Sequence, residues 1–398
     1  MDARVVIVGA GLAGLRVAER LRRAGHTGAL TLVGQERHRP YDRPPLSKGF
    51  LAGADPTWLR AGDRWDALDL DLRLGVRAHE LDLAAGSVTV GADRIPFDRL
   101  VIATGVRARV VPAWSLPRVH TLRTLDDARE FRCALSAARR LVVIGAGVLG
   151  SEVAAAARRL GLHVDLVDPA PTPLVTALPA ALGEVIAGLH RRHGVHLHLG
   201  RGVSSIGPDA VELDDGSRLN ADVVLVAIGA VPNTEWLEGS GLAVDDGVLT
   251  DDTGTASDPR VLALGDVARR AETRRAEHWD NAASTAALVA ANVLAEPEAR
   301  SAARDVPYFW TDQFEVKFQL LGAVGPADVV TVVDGSPDSG RFLALHQDAQ
   351  GALVGVCAAG DPAAFNRCRR ALSEGWSTED LLAAAPWALS GSAAAPRP

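Results

Sequence analysis

Runs of β-branched residues alternate with amphipathic stretches along most of this 398-residue chain, in the strand, helix, strand order that a parallel α/β sheet requires. Residues 4–8 predict a buried strand, about 12–24 a helix and 29–33 a second strand. The prolines of RHRPYDRPPLSKGFL (37–51) forbid a regular helix at its start, so this segment reads as a loop. Residues 86–105 read as short strands ending in RLVIATG. A second unit opens at Leu141, continues with a helix over about 148–160 and the strand HVDLVD at 163–168, and closes with ADVVLVAIGAVPN at 221–233. The strand pattern VLALGDVA (261–268) then returns to the first unit, followed by an amphipathic helix over 282–295. From about 311 the strands VVTVVDG, RFLALHQD and ALVGVCAAG alternate, with helices near 363–373 and 378–384. The simplest organisation inserts one α/β domain within another: 1–112 with 242–310, then 113–241, then a small α+β domain over 311–388, and a disordered tail over 389–398.

Each α/β unit begins with the spacing G-x-G-x-x-G: Gly9, Gly11 and Gly14 in VVIVGAGLAG, and Gly145, Gly147 and Gly150 in VVIGAGVLG. Such glycines give a tight turn, a bare backbone that a pyrophosphate can approach, and close packing of helix on strand. The phosphates would sit over Leu12 and Ala13 in one copy and Val148 and Leu149 in the other, where helix N–H groups are free. One chain is therefore expected to hold two dinucleotides. The ribose acid belongs at the end of the second strand of each unit, which selects Glu36 and Asp168. From Pro169 to His190 there is no arginine or lysine to neutralise a ribose 2′-phosphate, so the second site should prefer NADH over NADPH.

The formal charge of −7 argues against nucleic acid as the main partner. No apolar run approaches the roughly 18–20 residues that span a bilayer, and MDARVVIVGAG enters a strand with no basic, apolar leader. The expectation is a cytoplasmic protein without a membrane partner. Cys133, Cys357 and Cys368 form no C-x-x-C pair and no ligand-like spacing with histidines, so neither a disulfide framework nor a metal site is expected, and all three read as buried reduced thiols. No cysteine precedes position 133, so electrons cannot pass through a cysteine pair beside the first glycine loop.

At PYDRPPLSK (40–48), ATG (103–105), GDVA (265–268), EHWDNA (277–282) and YFWTDQ (308–313), the chain resembles the FAD-dependent NAD(P)H:ferredoxin reductases. These serve bacterial haem monooxygenases and Rieske dioxygenases and share the glutathione-reductase-like fold with apoptosis-inducing factor. The resemblance runs from about residue 3 to about 385. It implies an α/β fold of two Rossmann-like domains plus the small C-terminal domain, with FAD in the first unit and NAD(H) in the second. It also implies Arg43 and Lys48 beside the flavin cofactor, Ala78 near the adenine, Ala103, Thr104, Gly105 and Gly265 in the same binding set, Arg123 on the flavin side and Asp266 on the ribityl chain. Gly229 joins the nicotinamide-side set. Among 42 Lys plus Arg, only Lys48 and Lys317 are lysine, which singles out the compact ammonium of PPLSK.

The matching glutamate, Glu152, would face Lys48 and contact the nicotinamide amide, the pair acting by positioning rather than proton chemistry. Trp279 and Trp310 would lie near the isoalloxazine and on the electron exit route. The implied reaction moves hydride from NADH to FAD and single electrons onward to a ferredoxin-type iron–sulfur protein serving an oxygenase. Arg269, Arg270, Arg274, Arg275, Arg304 and Lys317 are candidate docking charges for it. An NADH oxidase or diaphorase, and a redox-responsive interaction protein resembling apoptosis-inducing factor, are the alternatives. Two positions depart from the family pattern: Gln35 where many relatives carry an acid beside Glu36, and AAGDP at 358–362 in place of an asparagine-containing turn.

Overall fold

The computed structural model describes residues 3–271, 273, 275–303, 306–322, 324, 327–385 and 387. The described residues form two compact units. The first draws on Met1–Leu46, Asp55–Ala108 and Ala230–Arg304, the second on Ser47–Ala54, Arg109–Gly229 and Asp305–Pro398. The expected tail over 389–398 lies outside the described residues.

In the first unit five strands run parallel in the order Val261–Ala263, Arg99–Ile102, Val5–Val8, Leu30–Gly34, Asp71–Leu74. All four residues of Val5–Val8 are buried, because both faces of the sheet are covered. Val5 and Ile7 join the side packed by helices Leu12–Arg23 and Trp279–Leu294, through Val17, Leu21, Ala286 and Val289. Val6 and Val8 join the opposite side, which carries the three-stranded antiparallel sheet Ala78–Asp82, Ser87–Val90, Asp93–Pro96 through Leu81, Val88 and Ile95. Period-two alternation thus feeds two cores at once.

The second unit repeats the plan. Its parallel sheet has the order Val195–Leu199, His163–Asp168, Arg140–Ile144, Val223–Val226, Val119–His120. A further five-stranded sheet is antiparallel, in the order Tyr308–Gln313, Val316–Gly322, Leu353–Ala359, Arg341–Gln347, Val329–Ser336. Helices Pro362–Ser373 and Thr378–Ala384 follow it, and Phe365, Cys368 and Leu381 pack into its core. The first strand of this sheet begins at Tyr308 and straddles the position 311 at which the sequence placed a domain start.

One sequence expectation fails here. Cys357 and Cys368 are buried, but Cys133 is exposed. It lies in helix Leu125–Ala137, whose buried stripe is Leu125, Ala128, Phe131 and Leu135, and a residue two places after Phe131 falls on the opposite face. Burial pushes the other two thiols up, to about 12 for Cys357 and about 11 for Cys368, so neither offers a thiolate at neutral pH.

Candidate functional site

The two glycine loops have the same internal geometry. A Cβ on Gly9 would lie 2.0 Å from the Ala103 carbonyl oxygen, and one on Gly145 would lie 2.3 Å from that of Ala227, at φ of +121° and +105° that only glycine adopts freely. The third glycines are equally closed: a Cβ on Gly14 would meet the Gly9 oxygen at 2.0 Å, and one on Gly150 the Gly145 oxygen at 1.9 Å. The middle glycines differ from both. Nothing lies within 4 Å of a Cβ built on Gly11 or Gly147. Each of these is also the N-cap of the helix that follows, Leu12–Arg23 or Val148–Arg159, without a side-chain cap and without an acid in the first turn. The fold itself therefore does not require glycine there, and first-turn N–H groups with no intrahelical acceptor suit an anion. Two pyrophosphates fit these two cradles.

In the first unit, Glu36 follows the strand Leu30–Gly34 and accepts Tyr41 Oη and Arg43 Nη2, both at 2.6 Å. Arg43 also donates to Tyr41 Oη at 2.9 Å. Asp266 sits in the short turn Gly265–Val267, a Cβ on Gly265 lying 3.3 Å from that of Ala13 in the first glycine-loop helix. Thr104 Oγ1 donates to the Asn233 carbonyl and Asn233 Nδ2 to the Thr104 carbonyl, each at 2.9 Å, which ties down the turn that ends in Gly105. Trp279 Nε1 donates to Asp42 Oδ1 at 2.6 Å. Ala78 is buried at the start of its strand.

In the second unit, Asp168 ends the strand His163–Asp168 and holds the glycine loop from behind: its Oδ2 accepts Ala146 N–H at 2.6 Å and its Oδ1 accepts Ala170 N–H at 2.8 Å. Gly229 lies just beyond Val223–Val226, and Arg123 precedes helix Leu125–Ala137, its N–H donating to Asp127. Glu152, in the first turns of helix Val148–Arg159, is only 5% exposed. Lys48 Nζ donates to its Oε2 at 2.6 Å and Ser47 Oγ to the same atom at 2.7 Å. On the other oxygen, Thr311 Oγ1 donates at 2.9 Å and Asp312 N–H at 3.3 Å. Four donors for one carboxylate offset the cost of burying it. Sequence reasoning paired Lys48 with Glu152 but missed Ser47 and Thr311, although both stand in the quoted motifs PPLSK and YFWTDQ.

Trp310 lies on the strand Tyr308–Gln313, stacked on Tyr308 with ring centres 5.6 Å apart and with the Lys317 ammonium 5.8 Å from its own ring centre. The candidate docking charges are less available than the sequence suggested. Arg269 pairs with Asp245 at 2.7 Å, Arg270 with Asp252 at 3.6 Å and Lys317 with Asp312 at 3.7 Å, while the Arg275 side chain, 7% exposed, is held by Asp246 and Glu277. Arg274 and Arg304 lie outside the described residues.

Residues 3–286, with both glycine loops, match the family model "Pyridine nucleotide-disulphide oxidoreductase". The chain belongs to the pyridine nucleotide-disulphide oxidoreductase family. Residues 308–388 match a second model, "Reductase C-terminal". FAD and NAD(H) are the cofactors of this oxidoreductase family. The chain is 38% identical over 355 residues to rhodocoxin reductase of Rhodococcus erythropolis, covering 85% of this chain and 82% of the relative. It is 35% identical to the ferredoxin–NAD(+) reductase component of an anthranilate 1,2-dioxygenase system from Burkholderia cepacia, covering 93% and 94%. A crystal structure of a covalent putidaredoxin reductase–putidaredoxin complex aligns with a TM-score of 0.89 at 33% identity, over 96% of this chain and 95% of that one. The three cysteines of this chain are free, Cys133 exposed and Cys357 and Cys368 buried. No described helix is long and apolar enough to cross a membrane.

Proposed function

We propose that this chain is an NADH-dependent flavoprotein reductase that passes single electrons to a ferredoxin-type iron–sulfur protein, itself the donor to a haem monooxygenase or Rieske oxygenase. The observation that carries the reading is the extent of the likeness. It spans both glycine loops and the C-terminal segment in relatives whose names describe reductases of ferredoxins or of rhodocoxin. In this reading 1–112 with 242–310 binds FAD, 113–241 binds NADH, and 311–388 is the small C-terminal domain. A cytoplasmic location belongs to the same proposal, since that compartment supplies NADH.

Bound FAD would supply the conversion between a two-electron donor and a one-electron acceptor. The chain's own residues would bind and orient. Gly9, Gly11, Gly14, Leu12 and Ala13 would receive the FAD pyrophosphate and Glu36 its ribose, with Arg43, Ala78, Ala103, Thr104, Gly105, Arg123, Gly265, Asp266, Trp279 and Trp310 completing that set. Gly145, Gly147, Gly150, Val148 and Leu149 would receive NADH, Asp168 would face its ribose, and Gly229 would line its path. Lys48 and Glu152 hold fixed, opposite charges against the nicotinamide side, so that reduction begins from one orientation rather than many. The test is rapid anaerobic mixing of the FAD-loaded protein with NADH. Lys48→Ala should slow loss of the oxidised flavin's absorbance by roughly tenfold to a hundredfold while retaining FAD. An unchanged rate refutes the role of Lys48.

A further inference from the structure

Beyond Glu152, the hydrogen bonds continue into the interior of the second unit. Gln313 Nε2 lies 2.8 Å from Thr311 Oγ1, and Gln313 Oε1 lies 2.9 Å from Nε2 of His190, on helix Ala180–Arg192. Thr311, Gln313 and His190 are all fully buried. The chemistry of the Glu152 end fixes every proton along this line. A carboxylate only accepts, so Thr311 must give its single hydroxyl proton to Glu152. Its oxygen must then accept from Gln313, which turns the amide NH₂ towards Thr311 and the amide oxygen towards His190. That oxygen requires a donor, so Nε2 of His190 must carry hydrogen. Nδ1 of His190 is buried with no hydrogen-bond partner among the described residues.

We propose that Thr311, Gln313 and His190 are positioning residues for the nicotinamide site: a proton-ordered line, His190 to Gln313 to Thr311, that fixes the plane of the Glu152 carboxylate and through it the Lys48 ammonium. The inference rests on the reading that the Lys48–Glu152 pair serves the nicotinamide. Glu152 and the three residues of the line sit on well-packed elements, two of them on one strand, so the carboxylate has a single resting orientation before the dinucleotide arrives. His193, which caps the C-terminal end of that helix, donates nothing to this line. Its ring stacks on Phe314 at 3.9 Å, its Nδ1 lies 2.9 Å from the Leu189 carbonyl oxygen, and its Nε2 faces Glu315 at 3.2 Å.

Two measurements on the FAD-loaded protein decide the matter. The first is the nitrogen-15 NMR spectrum of the histidine side chains at neutral pH, without NADH, with His190 assigned by its loss in His190→Gln. The expected pattern is a neutral ring with hydrogen on Nε2, and hydrogen on Nδ1 alone would overturn the proposal. The second is a variant series in anaerobic reduction by NADH, read against the dissociation constant for NAD+. Thr311→Val and Gln313→Glu should lower the limiting reduction rate about tenfold while the dissociation constant moves less than about threefold. Thr311→Ser should recover most of the loss seen in Thr311→Val, and His190→Gln, which keeps an N–H, should reduce faster than His190→Leu. Should one variant fail to retain FAD, the remaining pair and the NMR pattern still decide. Equal rates in Thr311→Val and the unaltered protein, or no recovery by serine, would overturn the proposal. If instead Lys48→Ala and Glu152→Gln also reduce at full rate, the reading of the pair itself is what fails.

Discussion

Acid should weaken the second unit through two buried histidines, and the size of the effect follows from their burial. Removal from water lowers His190 to about 4, partly opposed by its bond to Gln313, and lowers His346, fully buried on Arg341–Gln347, to about 4 as well. Asp328 stands 3.9 Å from Nδ1 of His346, which opposes the shift without reversing it. Both folded values lie below the ordinary 6.5, so between 6.5 and about 4 the unfolded chain holds more protons than the folded one. Stability is then fully present above the unfolded value and is lost as pH falls towards the folded one. At pH 5 the loss relative to pH 7 is about 2 kcal/mol for each histidine and about 4 kcal/mol for the two. The assay is urea unfolding at pH 7 and pH 5, comparing the unaltered protein with His346→Leu, because the difference cancels the contributions of carboxylates common to both. Removing His346 should shrink the pH-dependent loss by about 2 kcal/mol. Identical losses in the two proteins would mean that His346 does not stay neutral in the folded state over this range.

The glycine loops give the sharpest contrast between fold and binding. Gly147→Ala should fold and hold FAD normally yet bind NADH at least about tenfold more weakly, by isothermal titration, because its Cβ enters empty space over the helix N-terminus. Gly150→Ala should instead fail in stability by more than about 3 kcal/mol, as its Cβ would lie 1.9 Å from the Gly145 oxygen, and a thermal melt reads this directly. Gly11→Ala should reproduce the binding phenotype for FAD, visible as flavin lost on gel filtration. Asp168→Ala should erode the preference for NADH over NADPH and also loosen the loop, since the carboxylate holds Ala146 N–H. An unchanged ratio of the two rates would reject the ribose assignment.

How far the sequence could be read depended on the range of the physics involved. The glycine triplets, the acids at Glu36 and Asp168, and the two parallel sheets follow from short-range rules, because turn, strand and helix lie within about 30 residues of each other. Lys48 and Glu152 could be paired only through the family's motifs. What escaped were the partners supplied across long separations. Thr311 and Gln313 reach Glu152 and His190 only when the strand Tyr308–Gln313 is placed in the second unit, and nothing local to YFWTDQ says so. Helix Ala180–Arg192 was overlooked because it follows Pro179 with no side-chain cap. Helix Leu125–Ala137 is likewise absent from the sequence reading, although Thr124 and Asp127 cap its start reciprocally, and with it went the exposed face that bears Cys133. Counting arginines could not show that Arg269, Arg270 and Arg275 each face an acid.

The proposed route brings electrons in from NADH and releases them singly to an iron–sulfur protein, with no thiol in between. It is tested most directly by double-mixing stopped flow. The FAD-loaded protein is reduced anaerobically by one equivalent of NADH, then mixed with an oxidised [2Fe–2S] ferredoxin while the flavin and iron–sulfur absorbances are followed together. Rapid flavin reoxidation is expected, matched by two ferredoxins reduced per NADH and unaffected by prior alkylation of Cys133. A reduced protein that persists in the presence of ferredoxin, or a transfer abolished by alkylation, would contradict it.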